Sequence, residues 1–450
     1  MKQTVDYKYL NFTQLSAIDS WSTYAILGKR LMYTNKYPFV EIGKFLKRNK
    51  TQVKIQNGVI YKRPTIKMNA KGITLRDEVD GINIGTKNQF RIKEGQFLLS
   101  KIDARNGAFG VVPKELDNGI ITGNFWTFDV DYSKINPVYL TLLTGTKEFQ
   151  KLSQSASVGT TNRNYLQEKL FLDFKIPLPS LAEQEAIVKA YQTKIQHAQN
   201  LEQQAQNLEQ EIEKYLDDIL GIKINNKKKI TKGLQKVDYK LIDKWTLDDI
   251  FNKNIIQSEK YRLVKISELC SLITDGTHQT PKYFNEGVVF LSAKNVTQQT
   301  IDWDNIKYVS KEAHNEYCKR VKPEVNDILL AKNGTTGVAA LVDREMEFSI
   351  YVSLALLKPI KDKVLPEFLL NLINSNFVKT QFNSRLIGIG VPNLHLGEIR
   401  NTLVPLPTMN IQIEITKQIS IYKSNINNIK SKVETLKHQA EQEFEQAIFN

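Results

Sequence analysis

The chain is short of cysteine and histidine and has no long apolar run. Among its 450 residues are two cysteines, Cys270 and Cys318, read as free structural thiols because no Cys-x-x-Cys spacing or histidine cluster accompanies them. The five histidines, at 197, 278, 314, 395 and 438, are scattered, so no metal site is expected. No stretch of 18 or more apolar residues occurs, so no membrane span is expected. Met1-Lys2-Gln3-Thr4-Val5-Asp6 lacks the apolar core of a signal peptide, and a cytoplasmic location is expected. Catalytic signatures are missing too. There is no GxxxxGK[ST] phosphate loop, no GxGxxG after a strand (Gly388-Ile389-Gly390 is too short), no GxSxG elbow and no HExxH. Neither Asn-Pro-Pro-aromatic nor Asp-Pro-Pro-aromatic, the tetrapeptides of amino-methyltransferases, appears. Asp173-Phe174-Lys175 comes nearest to a nuclease Asp/Glu-x-Lys and reads as a solvated connector. The expectation is a chain that recognises and does not catalyse.

What is present is a repeat. Ile176-Pro177-Leu178-Pro179-Ser180 runs into a long amphipathic segment, and Val404-Pro405-Leu406-Pro407-Thr408 does the same 228 residues later. Val5-Asp6-Tyr7-Lys8 is echoed by Val237-Asp238-Tyr239-Lys240, and Ile18-Asp19-Ser20-Trp21 by Ile242-Asp243-Lys244-Trp245. Residues 181–220 contain no Gly or Pro, and apolar residues recur at spacings of three and four. Ser180 reads as an N-cap with Glu183 three residues on, and Gly221 as a stop. Forty residues at about 1.5 Å each give a rod of roughly 60 Å. The expected seam is Ile187, Tyr191, Ala198, Leu201, Ala205, Leu208 and Ile212 in the first rod. In the second it is Ile415, Ile419, Ile426, Ile429, Val433, Leu436 and Ala440. A single seamed helix must bury its seam, and each rod is the other's natural partner, paired antiparallel.

The resulting fold class is α+β: two pseudo-symmetric mixed α/β recognition lobes separated by two long antiparallel coiled-coil helices. The divisions are a helical lead-in over 1–36, a first lobe over 37–180 that is strand-rich with a helix near 137–152, and a helix over 181–220. A basic linker and second lead-in follow over 221–259, then a second lobe over 260–408 and a helix over 409–450. A chain of two similar halves suits a target with two half-sites, and DNA is the obvious candidate.

Charge supports a polyanionic partner. The net charge is +14; residues 1–180 carry 27 Lys+Arg against 15 Asp+Glu, whereas 181–220 carry 3 against 8. Readers of base edges should be Arg, Lys, Asn, Gln or similar polar side chains on protruding loops. The first-lobe candidates are Arg63, Lys71, Arg76, Lys87, Gln89, Lys101, Arg105 and Asn106. Those of the second lobe are Thr277, His278, Thr280, Tyr283, Lys332 and Asn333. Each also fits a solvated loop residue, and His278 fits a turn closed by Asp275. Glu209, Glu211 and Glu213 fit either a solvated helix face or a surface for a basic partner.

Three motifs together resemble the specificity subunit of type I restriction-modification systems. The first is the Pro-Leu-Pro-[Ser/Thr] that leads to Gln184 or Gln412 on a seamed helix. The second is Ile273-Thr274-Asp275-Gly276-Thr277-His278-Gln279-Thr280-Pro281-Lys282-Tyr283, followed by Gly287-Val288-Val289-Phe290-Leu291-Ser292 and Asn295. The third is Ser100-Lys101-Ile102-Asp103-Ala104-Arg105-Asn106-Gly107-Ala108-Phe109-Gly110. One departure is that Ile411 stands where the first half has Glu183, so any contact of Glu183 is expected to be missing there. The resemblance implies a non-catalytic subunit in which each lobe reads, through the major groove, one half of a bipartite gapped site in double-stranded DNA. It implies two methyltransferase subunits that methylate adenine, and two motor-nuclease subunits that cleave. S-adenosylmethionine, ATP and Mg would sit on those partners, with no cofactor in this chain. The rival readings are a pseudo-symmetric coiled-coil adaptor between proteins, a minimal nuclease or a piece of a fused restriction-methylation enzyme, and a specificity subunit of another methylation-based defence system.

Overall fold

The computed structural model describes residues 36–158, 165–225, 236, 255–384 and 393–449. Residues 1–35 of the expected lead-in, most of the basic linker, the Val5/Val237 and Trp21/Trp245 echoes and Gly388-Ile389-Gly390 lie outside these. The chain divides into two compact units, one of Met1–Asn200 with Lys432–Asn450 and one of Leu201–Ser431.

In the first unit an antiparallel sheet runs in the order Leu46–Asn49, Phe125–Val130, Phe97–Ser100, Phe109–Val111. All four residues of Phe97–Ser100 are buried, as expected of a strand covered on both faces. The sequence reads a single helix near 137–152, but there are two, Pro137–Gly145 and Lys147–Ser155. Thr146 breaks them apart by taking an extended backbone (ψ 151°) and capping Phe149 N with its hydroxyl. Asn136 caps the first of them, with Pro137 at its first position. Phe97, Phe109, Phe128, Phe149 and Phe171 form an aromatic core with ring centroids 5.6–6.2 Å apart. A short antiparallel pair, Phe39–Glu41 with Lys175–Pro177, leads into the first long helix, Leu181–Leu220.

The second unit repeats this frame. Its sheet order is Cys270–Asp275, Leu354–Pro359, Ile328–Ala331, Ala339–Leu341, again antiparallel. Leu263–Lys265 pairs with Leu403–Pro405 ahead of the second long helix, Met409–Phe449. Pro366–Asn374 and Asn376–Asn383 are its helical pair, again split by a capping hydroxyl, that of Ser375.

What differs is inserted between frame strands. The first unit inserts a hairpin, Ile60–Ile66 with Ile73–Asp80, and an antiparallel sheet of Gln52–Lys54, Asn88–Arg91 and Ile120–Ile121. The second inserts Lys307–Val309, Val288–Leu291 and Phe348–Ile350, the last paired parallel, and a helix, Lys311–Cys318. The class is therefore α+β with a repeated frame.

Each long helix contributes to both units. In the first unit Tyr191 meets Phe444 at 6.3 Å and Lys194 binds Glu443 at 2.8 Å. In the second, Glu209 binds Lys430 at 3.0 Å and Tyr215 meets Tyr422 at 6.4 Å. Numbers rise on one helix as they fall on the other, so within each unit the segments run antiparallel. None of the fourteen seam positions is exposed: Ala198, Ala205, Ile415, Ile419, Ile426, Val433 and Ala440 are buried and the rest half-buried. Val188 and Leu216, off that seam, are buried as well, because each packs into the hydrophobic core of its lobe.

The glutamines after the Pro-Leu-Pro segments are almost fully buried, at 0% and 1% exposure. Gln184 Oε1 accepts from Asn136 N (2.7 Å), and its Nε2 donates to the carbonyls of Lys134 (3.1 Å) and Pro179 (2.8 Å). Gln412 Oε1 accepts from Leu365 N (2.9 Å), and its Nε2 donates to Lys363 O (3.2 Å) and Pro407 O (3.0 Å). The same three backbone groups are held in each half. Glu183 serves another purpose: it accepts from Ser180 N and Oγ in a capping box. Ile411 packs on the core in its place, so the cap is lost in the second half while the glutamine clamp is kept.

Candidate nucleic-acid interface

In the first unit the hairpin tip is a tight turn whose central residues, Asn69 and Ala70, have φ of 56° and 51°. Two positive φ values make a type I′ turn, which matches the twist of its strands, and an alanine there is strained. The tip is docked. Asn69 N donates to Asn106 O (2.9 Å) and Ala70 N to Gly107 O (2.8 Å). Gly107 needs its φ of 70°, and a Cβ there would lie 3.0 Å from Asn69 Cα. Exposed Lys71 and half-buried Arg105 and Asn106 thus come onto one surface, together with exposed Lys67 and Met68. Lys101 sits at the base of this loop with its ammonium over the Tyr165 ring, 5.4 Å from the centroid.

The remaining first-lobe candidates are placed elsewhere. Arg63 is held by Asp77 through Nε (2.7 Å) and Nη2 (2.6 Å) on the paired hairpin strands. Arg76 is exposed and lies 3.4 Å from the same carboxylate. The Arg63 guanidinium holds the Asp77 carboxyl below its ordinary range. Lys87 Nζ donates to Gly81 O (2.6 Å) and Asn57 Oδ1 (3.1 Å) at the opposite end of the hairpin from Lys71. Gln89 is a correction: at 5% exposure it points inward and donates to Thr86 O (3.0 Å), because strand register turns that side of Asn88–Arg91 to the core.

The second unit organises its surface around one carboxylate. Asp275 ends the first frame strand and is 4% exposed. Its Oδ2 accepts from Lys332 Nζ (2.6 Å); its Oδ1 accepts from Arg320 Nη2 (2.6 Å) and lies 3.3 Å from His278 Nε2. Burial pushes the carboxyl up, but the Lys332 ammonium and the Arg320 charge outweigh it and hold it below the usual range. Lys332 is itself 6% exposed and so is not a surface reader, which corrects its assignment. Lys101 and Lys332 occupy matching places, since each carbonyl accepts a frame hydrogen bond, from Leu166 N and Leu394 N respectively (both 2.9 Å). Thr277 is also buried, its hydroxyl accepting from Gln279 N (3.2 Å).

His278 and Thr280 are exposed on the loop that follows, and Asn333 is half-buried in the turn after Ile328–Ala331. Gly276 admits no side chain, since a Cβ would lie 1.9 Å from Ile350 O. Exposed Tyr283 carries Lys307 Nζ 4.0 Å above its ring, and exposed Phe284 carries Lys282 at 5.6 Å. Cations interleaved with aromatics suit a phosphate backbone and stacked bases. Arg320, Lys307 and Lys282 were not among the sequence candidates. Of these, only Lys282, inside the Asp275–Tyr283 motif, carries a local sequence signal.

The acidic residues of the first long helix are divided in role. Glu209 pairs with Lys430, Glu213 accepts from Asn376 N (2.9 Å) at the start of a lobe helix, and Glu211 is exposed. Among the described residues no group of three or more His, Cys, Asp or Glu side chains could hold a metal, and no helix is long and apolar enough to cross a membrane.

The family model described as the type I restriction modification DNA specificity domain matches twice, at residues 34–214 and 258–438. The chain is similar to the specificity subunit of the type I restriction enzyme EcoBI from Escherichia coli, 22% identical over 398 residues, spanning 84% of this chain and 79% of that one. It is similar to that of MjaVIII from Methanocaldococcus jannaschii, 24% identical over 320 residues, spanning 70% and 69%. A solved chain from work on assembly and conformational transition of a type I R-M system shares its fold, with a TM-score of 0.58 at 15% identity over 92% of this chain and 98% of that one.

Proposed function

This chain belongs to the type I restriction-modification DNA specificity family, and on that footing we propose that its two lobes read the two halves of a gapped site in double-stranded DNA. The chain is the DNA-recognition, non-catalytic subunit of its system. The observation that carries the two-half-site reading is that one frame occurs twice with different inserts. The scaffold is held constant while the surfaces that meet bases diverge.

In this reading the Lys71–Arg105–Asn106 surface and the His278–Tyr283 loop contribute base and phosphate contacts in their respective grooves. Phosphate contacts by lysines set register and general affinity; arginine and amide side chains discriminate bases. The long helices act as a ruler that sets the number of unread base pairs. Two methyltransferase subunits dock with the chain and methylate adenine from S-adenosylmethionine, and two motor-nuclease subunits join them to cleave with ATP and Mg. The bases read, and hence the adenine modified in each half-site, follow from the inserted sheets.

The test is single-molecule sequencing of adenine methylation in cells with and without this gene, its companion methyltransferase present. Loss of one asymmetric, gapped motif on deletion supports the reading. An unchanged set of motifs refutes it and favours the protein-adaptor alternative.

A further inference from the structure

We propose that Arg320 is a base-reading residue of the second lobe, preset for a guanine edge by the buried Asp275–Lys332 pair. The inference rests on the DNA-recognition reading above and adds to it a residue and the base chemistry it selects.

Three observations carry it. First, among the described residues Arg320 is held at one nitrogen only, by the Asp275 hydrogen bond at 2.6 Å, while 51% of its side chain stays open to solvent. A guanidinium steered at one corner and exposed elsewhere can still offer two parallel donors to the O6 and N7 acceptors of guanine. Second, the carboxylate that steers it is itself fixed. Asp275 and Lys332 are both buried, and the Lys332 ammonium takes the other carboxylate oxygen. A surface ion pair loses much of its worth to side-chain entropy, but here one partner is already immobile. Third, the backbone beneath Arg320 is pinned. Its N–H donates to Tyr317 O (3.1 Å), and the next residue, Val321, is 4% exposed and donates to the same carbonyl. The preceding helix is tied to the inserted sheet by His314 Nδ1 and Ser349 Oγ at 2.8 Å. A positioned arginine with its supports therefore borders the His278–Tyr283 loop, because His278 and Arg320 share the same Asp275 oxygen.

The alternative use of such an arginine is a phosphate contact, which a lysine can also make. The experiment therefore compares R320A with R320K in the full chain with its methyltransferase subunits, reading the methylated motif genome-wide. Base readout predicts that both variants lose about 10- to 100-fold in preference at one G·C pair of one half-site. The other half-site and the gap should stay as they were. D275N should relax the same position, because the guanidinium is no longer steered. If R320K keeps the unsubstituted motif while R320A lowers methylation at every site alike, Arg320 is a phosphate contact and the inference is overturned. It is overturned also if R320A leaves the motif unchanged. Absence of any gapped motif with the unsubstituted chain refutes the underlying reading instead, so the two failures are separable.

Discussion

The two buried glutamines make a quantitative prediction. Gln412→Leu keeps the volume of the side chain and removes all three of its hydrogen bonds, to Leu365 N, Lys363 O and Pro407 O. The half-buried Leu365 N–H then loses its acceptor, which costs about 1–3 kcal/mol, and the two carbonyls lose a donor, with a smaller cost because each oxygen has a second lone pair. The sum is about 3 kcal/mol, or a fall of about 6–12 °C in the melting of a unit of this size. Gln184 makes the matching set of bonds, so Gln184→Leu should cost the first unit about as much. Gln412→Glu adds a check on sign. Glutamate can still accept from Leu365 N, but when ionised it faces the carbonyls of Lys363 and Pro407, so its folded pKa lies above its free value. Its stability is then full below about pH 4 and is lost as pH rises through the folded pKa. Scanning calorimetry of the purified full chain at pH 5 and pH 8 should show a smaller deficit for Gln412→Glu at the lower pH. Both leucine variants melting within about 2 °C of the unsubstituted chain would refute the reasoning.

Three further outcomes are expected. The Asp217 carboxyl is pushed up to about 6, first by burial and then by Glu213 and Asp218, so its ionisation opposes folding. Its stabilising protonated state is lost as pH rises through about 6. Asp217→Asn should therefore raise stability by about 1 kcal/mol at pH 8, allowing for solvent screening, and change nothing at pH 4; equal melting curves at pH 8 would contradict this. Arg105→Ala should weaken specific binding by about 1–3 kcal/mol, whereas Lys71→Ala should weaken all DNA alike and lower the salt slope by about one; competition titrations at several salt concentrations separate the two. Deleting one seven-residue repeat from each long helix shortens the rod by about 10 Å, close to three base pairs, and should shorten the gap while leaving both half-sites unchanged; an unaltered gap in the methylated motif would exclude the ruler.

Much of this fold was legible because its signals are local. The seam spacing, the Pro-Leu-Pro entries and the Asn-Gly turns at Asn106-Gly107 and Asn333-Gly334 each follow from a few adjacent residues. The interface was legible only in part, because residue type does not report which way a side chain points. Gln89 and Lys332 have the chemistry of base readers and are buried, one by strand register and the other by a carboxylate 57 residues away in sequence. Arg63 is engaged by Asp77 across the hairpin, and Lys87 by Gly81 in the segment that follows its second strand. Arg320 carries no motif; its placement depends on Asp275, 45 residues earlier, and on a helix docked by His314.

The glutamine clamps grip only main-chain atoms, and asparagine at 136 and leucine at 365 are held alike. An attachment blind to side chains imposes no vocabulary on what it carries. Mutations can accumulate in the inserted sheets, and a lobe can be exchanged whole between related genes, without refitting the joint. New target preferences can therefore arise by inheritance of parts, while the mount that receives them stays the same.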